Sequence, residues 1–263
     1  MLGKLVGENH VRAGATDVPG QFVEFYATGG PDAAAEIVPL GGSGQLGVAG
    51  QLLDDDLVVG VQDQWDNAVP DQLCTFAPSA GGADPSEGTT DALGQTQTSW
   101  TLGTAMGEQT LDVDCGAAHH QFTATADHGA ADELVIAGGD DQTGINTTTL
   151  SNPLVVEARD QHGNPVDGVE VSFAVTSGSG TLAPSAPQIT DADGLAQTYL
   201  TLESLGTVEV TADAGGLSPV VFGETSIAGN PSELVLVSGG QQVETVGYQL
   251  ADPVVVRLED DHD

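Results

Sequence analysis

The sequence predicts an all-β protein of tandem β-sandwiches, roughly 100 residues per repeat. Three observations carry this: internal repetition, period-two alternation of apolar residues, and turn signals at short intervals. Self-similarity at a fixed period decides architecture before any single strand is assigned. The segment "VVGVQDQWDNAV" from Val58 recurs as "VVEARDQHGNPV" from Val155 and, more weakly, as "VVRLEDDHD" from Val255, at spacings of 97 and 100. "TDALGQTQTSWTL" from Thr90 matches "TDADGLAQTYLTL" from Thr190, and "GEQTLDV" from Gly107 matches "GENHVRA" from Gly7 and "GTVEVTA" from Gly206. Within a repeat, Val171, Phe173 and Val175 share one strand face while Glu170, Ser172 and Ala174 share the other. Turn signals separate such runs: "GGDDQTG" after Ala137, "DQHGNP" around His162, "TSGSG" after Val175, "TDADG" at Asp191 and "DAGGLSP" at Asp213. About seven short strands per unit of this length is the profile of an immunoglobulin-like sandwich.

Laid end to end, the matches divide the chain into four pieces. Residues 1–29 are the C-terminal part of one repeat, 30–129 and 130–229 are whole repeats, and 230–263 are the N-terminal part of another. The starts recur as "AAAEIVPLGG" from Ala33, "AADELVIAGG" from Ala130 and "NPSELVLVSGG" from Asn230. Both termini then cut through a repeat, so the chain reads as an excerpt of a longer array or a truncated reading frame. Phe22, Val23, Phe25 and Tyr26 are expected to lack covering strands, which makes the ends prone to self-association.

Composition narrows the function classes. The 263 residues carry 39 Asp and Glu against 4 Lys and Arg, a formal charge of −35. Binding to nucleic-acid phosphate or to anionic headgroups needs basic side chains that are absent, which excludes a nucleic-acid partner. No apolar run approaches the ~20 residues of a spanning helix, so this segment does not insert in a membrane, and the N-terminal stretch has no apolar core of signal-peptide length. If the protein is exported, its export signal and anchor are expected to lie outside this segment. The carboxylates repel one another at low ionic strength, so stability is expected to rise with salt. With Lys4 the only lysine, the composition leans towards a halophile.

The run "NPLVVEARDQHGNPVDGVEVSFAVTSGSGTLAP" from Asn152, followed by "TDADGLAQTYLTL" and "LGTVEVTADAGG", resembles the bacterial immunoglobulin-like domain, group 1, found in tandem in invasin- and intimin-type adhesins. The resemblance is strong in 130–229, good in 30–129 and partial at both ends. It implies stacked sandwiches forming a stiff stalk on a microbial surface protein, neighbouring repeats of one longer chain as partners, and no catalytic site. Cys74 shares parity with Phe76, and Cys115 with Leu111 and Val113, so both thiols are expected to point inward. If their strands are the third and sixth, as in the family's topology, they lie in one sheet and a Cys74–Cys115 bridge is feasible. Closing a separation of 41 residues would contribute about 4 kcal/mol on the chain-entropy model. The alternative is two buried reduced thiols packed as small hydrophobes.

Other side chains offer candidate binding chemistry. Acidic clusters at Asp54–Asp56, Asp140 and Asp141, Asp191 and Asp193, and Asp260, Asp261 and Asp263 invite a calcium reading. None has helix-loop-helix spacing, and "TDADG" reads as a turn in which Asp bonds its own backbone, so no metal or other cofactor is assigned. His119 and His120 point to opposite faces of an extended segment and, with His128, do not form a metal set. Asn146 opens a glycosylation-type "NTT". Trp100 aligns with Leu200 and is expected in the core. Trp65 sits in a turn where the next repeat has His162 and is the candidate exposed contact for a host or cell-surface ligand. Hydrolase signatures such as G-x-S-x-G and H-E-x-x-H are missing, and similar sandwiches leave little chain for a paired-carboxylate cleft. The functional expectation is therefore a non-catalytic extracellular stalk segment, with a ligand-binding adhesion module as the alternative.

Overall fold

The computed structural model describes residues 3–17 and 19–261, and these form strands and turns with no helix among them. Two compact units are present, Met1–Gly129 and Ala130–Asp263. The first opens with an antiparallel hairpin of β1 (Gly7–Gly14) and β2 (Phe22–Gly29). A sandwich follows from β3 (Glu36–Gly41), β4 (Gln45–Val48), β5 (Leu57–Gln62), β6 (Leu73–Pro78), β7 (Gly82–Asp84), β8 (Glu87–Thr89), β9 (Gln95–Thr101), β10 (Gly107–Cys115) and β11 (Ala118–Asp127). Its sheets have the orders β3-β5-β9-β7 and β4-β11-β10-β6-β8, antiparallel except for the pair β4 and β11.

The second unit repeats this topology strand for strand. It contains β12 (Ala131–Gly138), β13 (Thr143–Ile145), β14 (Leu154–Asp160), β15 (Glu170–Ser177), β16 (Gly180–Ala183), β17 (Gln188–Ile189), β18 (Leu195–Leu202), β19 (Gly206–Asp213) and β20 (Val220–Ile227). The sheet orders are β12-β14-β18-β16 and β13-β20-β19-β15-β17, with β13 and β20 the parallel pair. A final antiparallel hairpin joins β21 (Pro231–Ser238) to β22 (Val255–Asp260). Each complete sandwich has nine strands where the apolar pattern predicts about seven. The additional ones are edge strands of two to four residues, such as β7, β8 and β17, too short to display an alternation.

Alternation becomes burial. In β14 every second residue from Leu154 to Asp160 is buried, and in β10 Gln109, Leu111, Val113 and Cys115 face inward while Asp114 faces solvent. One core gathers Leu57, Val59, Trp100, Leu111 and Phe122, and the other Leu154, Val156, Leu200, Val210 and Phe222, all without solvent exposure. Full burial of each such side chain contributes about 1.5–3 kcal/mol, which lets each sandwich hold its own fold. The repetition extends to the turn before β9 and β18. Gly94 and Gly194 share φ of 73°, and a Cβ there would lie 2.8 Å from the carbonyl oxygens of Val61 and Ala158 respectively.

Candidate functional site at the repeat joint

A recurrent aspartate lies at the C-terminal end of β5, β14 and β22. Asp63 follows β5, and its Oδ1 accepts the backbone N–H groups of Trp65 (2.8 Å) and Asn67 (3.0 Å), folding the "DQWDN" turn around itself. Asn67 Nδ2 also donates to both carboxylate oxygens. Asp160 does the same in "DQHGN", accepting from His162 N (2.8 Å), Asn164 N (2.9 Å) and Asn164 Nδ2 (2.9 Å). Both aspartates are buried. Burial alone would raise the pKa of Asp63, but donation from the Asp32 N–H, the Asn67 side chain and the Trp65 and Asn67 N–H groups outweighs it and holds the carboxyl at about 2.

The turn is locked from beneath by a buried threonine. Thr90 Oγ1 donates to Val69 O (2.7 Å) and accepts from Gln72 N (2.9 Å); Thr190 Oγ1 donates to Val166 O (2.8 Å) and accepts from Val169 N (2.9 Å). Beside it, Asp91 Oδ1 accepts from Leu93 N and Gln95 N, and Asp191 Oδ1 from Asp193 N and Leu195 N. These aspartates satisfy backbone donors of the loop that precedes the next strand.

The organised turn then grips the incoming linker. Asp63 Oδ2 accepts the N–H of Asp32 at 2.9 Å, fixing the segment between β2 and β3. Asn67 reaches further back, its Nδ2 donating to Lys4 O (2.8 Å) and its Oδ1 accepting from Val6 N (3.1 Å). In the second unit, Asp260 Oδ2 accepts the N–H of Gly229 at 2.5 Å, and Asp261 N donates to Asn230 O. An equivalent carboxylate thus clamps the residue that leads into β3 and the one that leads into β21. The recurrence of Asp63, Asp160 and Asp260 at spacings of 97 and 100 was the available sequence signal for this role. The acceptance of an N–H 31 residues away is not readable from the turn alone.

The other candidates fall as follows. Cys74 on β6 and Cys115 on β10 are both fully buried and joined by a disulfide, with Cα atoms 4.2 Å apart. The register that pairs Asp114 with Thr75 sets them directly opposite on neighbouring strands of one sheet. Trp65 is 40% exposed, and Lys4 Nζ lies 4.1 Å from its ring centroid, a cation–π contact that occupies one face of the ring. The tryptophan therefore belongs to the same joint. Trp100 is fully buried.

Among the described residues, no group of three or more His, Cys, Asp or Glu is arranged to hold a metal ion. Asp54–Asp56 lie exposed before β5, where Asp56 accepts from Gln97; Asp140 accepts from Gly223 N; Asp260 is engaged at the joint; and Asp263 lies outside the described residues. His119 faces solvent beside Asp114 and Asp112, His120 stands edge-on to Phe122, and His128 bonds Gly129 O. Asn146 is half-buried, its Oδ1 enclosed, and it lines a cleft with Leu205, Gly229 and Asp260.

One inward carboxylate lies outside the acidic clusters of the sequence. Glu224 on β20 is fully buried at the position of Ala124 in the first sandwich. Its Oε2 accepts from Gln142 N at 2.7 Å, while Oε1 has no hydrogen-bond partner. Burial, opposed by the Gln142 N–H and reinforced by the charges of Asp140 and Asp141, pushes its pKa up to about 7. The alternation Phe222, Glu224, Ser226 was the signal.

The fold and its clamped joints define a protein of tandem immunoglobulin-like sandwiches. Residues 147–221, within the second unit, match the family model of the bacterial Ig-like domain (group 1). A comparison with curated proteins gives no match. Among solved structures, the FdeC adhesin of Escherichia coli is similar at 20% identity, over 89% of this chain and 76% of that one, with a TM-score of 0.49. The Yersinia pseudotuberculosis InvD structure is 17% identical over 84% of this chain and 70% of that one, with a TM-score of 0.46. Invasin, a bacterial integrin-binding protein, is 18% identical over 77% and 42%, TM-score 0.37.

Proposed function

We propose that this chain is a non-catalytic stalk segment of a microbial surface or secreted adhesin-like protein, its partners being neighbouring repeats of the same chain. The observation that carries the reading is the joint: Asp63 and Asp260 each spend a carboxylate oxygen on the N–H of the linker that enters their repeat. Such a bond limits swivelling where the linker sequence would otherwise permit it. The bacterial Ig-like match supports placement outside the cell. The carboxylates at the loops support the absence of catalysis, because Asp63, Asp91, Asp160 and Asp191 use their oxygens on backbone donors. The reading needs no cofactor. Stability in such an array is close to a sum over repeats and their interfaces.

Small-angle scattering extrapolated to zero concentration tests the reading. A stalk has a radius of gyration well above the ~18 Å of a compact globule of this length. Asp63→Ala should increase its flexibility without unfolding the first sandwich. A wild-type value near that of a globule overturns the proposal. The ligand-binding alternative places recognition at Trp65; saturable binding to a glycan or host protein that is lost in Trp65→Ala, with the scattering profile retained, would favour it instead.

A further inference from the structure

The open edge of the first complete sandwich carries a groove whose walls are apolar and whose mouth is acidic. β4 is the end strand of its sheet and joins it through β11, so its other edge has no strand partner among the described residues. The chain then returns along β9, where Leu52 bridges to Thr101 and Leu53 N donates to Trp100 O. Between β4 and this returning segment lies a notch of about 280 Å³. Its floor is Gly47 and the buried Leu53; a Cβ on Gly47 would come within 2.6 Å of Leu53 Cδ2. Its walls are Leu46, Val48 and Leu52, which are 69%, 41% and 57% exposed. Asp54 stands at one end, followed by Asp55 and Asp56, all three exposed.

The second sandwich is the internal control. Its floor is the same, with a Cβ on Gly144 coming within 2.8 Å of Leu150 and 2.9 Å of Leu202. Walls and mouth differ. Thr143, Ile145 and Thr149 take the places of Leu46, Val48 and Leu52, with Ile145 half-buried and Thr149 bonded to Thr201 at 2.8 Å. Ser151, Asn152 and Pro153 take the places of the three aspartates. The alignment is fixed by Gln45 and Gln142, whose side-chain amides bracket Asp55 and Asn152 with the same pair of backbone bonds. The fold is thus built without leucines or carboxylates at this edge, and their presence in the first sandwich calls for another reason.

Sheet edges are commonly blunted by Lys or Pro, and β4 has neither. An extended segment added to such an edge forms main-chain bonds and is selected by its alternate side chains. None of the four basic residues, Lys4, Arg12, Arg159 and Arg257, belongs to 30–129, so Lys or Arg partners for Asp54–Asp56 come from outside this sandwich. A second copy of the chain would bring 39 further carboxylates and only 4 such cations.

We propose that this edge docks an extended, alternately apolar segment of another protein, whose Lys or Arg residues face Asp54, Asp55 and Asp56. The segment pairs with β4 and lays its apolar side chains among Leu46, Val48 and Leu52. A stalk that holds a partner on its flank remains a stalk, so neither reading rests on the other.

The test uses the full chain and a fluorescein-labelled peptide, Lys-Val-Thr-Val-Thr-Val-Lys. Anisotropy is followed from ~1 µM to ~1 mM protein, in about 0.15 M and about 1 M NaCl. Saturable binding is expected, about tenfold weaker or worse when both Lys are Glu or when the central Val is Pro. Leu46→Thr with Leu52→Thr installs the residues of the second sandwich and should abolish binding. Asp54→Ser with Asp55→Asn should weaken it about tenfold and flatten its salt dependence. These side chains are exposed, so both variants should keep the wild-type melting transitions. Absence of saturable binding by the wild type overturns the proposal. So does equal binding of the Glu or Pro peptide, or undiminished binding by either variant. Self-association of the unliganded chain that is lost in Leu46→Thr with Leu52→Thr would assign the edge to a second copy and overturn it as well.

Discussion

The two complete sandwiches share nine strands, one topology and the same Asp and Thr loop bonds, yet fill equivalent core positions differently. The first joins Cys74 to Cys115, buries Trp100 and has Ala124 on β11. The second has Val171, Ala214 and Leu200 at the first three positions and Glu224 at the fourth. The bonds that shape the loops are thus common to both, while the core admits a covalent link in one and a buried carboxyl in the other. Shape in this fold is set at the loops and by strand parity; the core fillings tune how firmly each copy holds.

The largest expected effect comes from removing the covalent link. Cys74→Val with Cys115→Ala, the residues of the second sandwich, should lower the stability of the first by about 4 kcal/mol and leave the second unchanged. Urea unfolding with fluorescence from Trp100 reports the first sandwich selectively. An equal loss in both sandwiches would break the comparison.

Next is the buried carboxyl. The folded pKa of Glu224, about 7, exceeds its ordinary value of 4.5, so the folded state holds a proton that the unfolded state releases. Its stabilisation is fully present below about pH 4.5 and is lost as pH rises through 7, by up to about 3 kcal/mol. The second sandwich should therefore weaken over this window relative to the first, and Glu224→Gln should flatten the difference. Calorimetry across pH 4 to 8, ranges chosen to bracket ~4.5 and ~7, gives the slope directly.

A shared feature should respond equally in both. Thr90→Val and Thr190→Val each remove a buried hydroxyl that both donates and accepts, at an expected loss of about 1–3 kcal/mol from the sandwich concerned. Markedly unequal losses would show that the loops are not equivalent. The smallest effect is ionic: raising NaCl from low to molar should lift both melting midpoints by about 5 °C as carboxylate repulsion is screened. A flat or falling midpoint would remove repulsion as a destabilising factor.

The alternation of Val171, Phe173 and Val175 and the recurrence near one hundred residues made the sandwich and its repetition legible, because strand parity is a local property. The same parity turned Cys74 and Cys115 inward. The joint was less legible for a physical reason: its bonds run from Asp63 to Asp32 N and from Asn67 to Lys4 O, across 31 and 63 residues. The contact of Lys4 with Trp65 was not legible because nothing near Trp65 in sequence announces Lys4. Glu224 was readable as an inward residue but was lost among many carboxylates. The short edge strands carried too few residues to show a period.

The clamp at Asp63 and Asp260 has a consequence for resistance to proteolysis. A protease needs its target segment pulled out into an extended conformation, and exposed Gly- and Pro-containing linkers are the usual places where chains are nicked. The segments "GGPD" before Ala33 and "GNPS" before Glu233 have that composition, yet the N–H groups of Asp32 and Gly229 are held by carboxylates of the following repeat. Cleavage there requires the linker to leave its carboxylate first, so these two Gly- and Pro-containing linkers are tethered by the repeats they lead into.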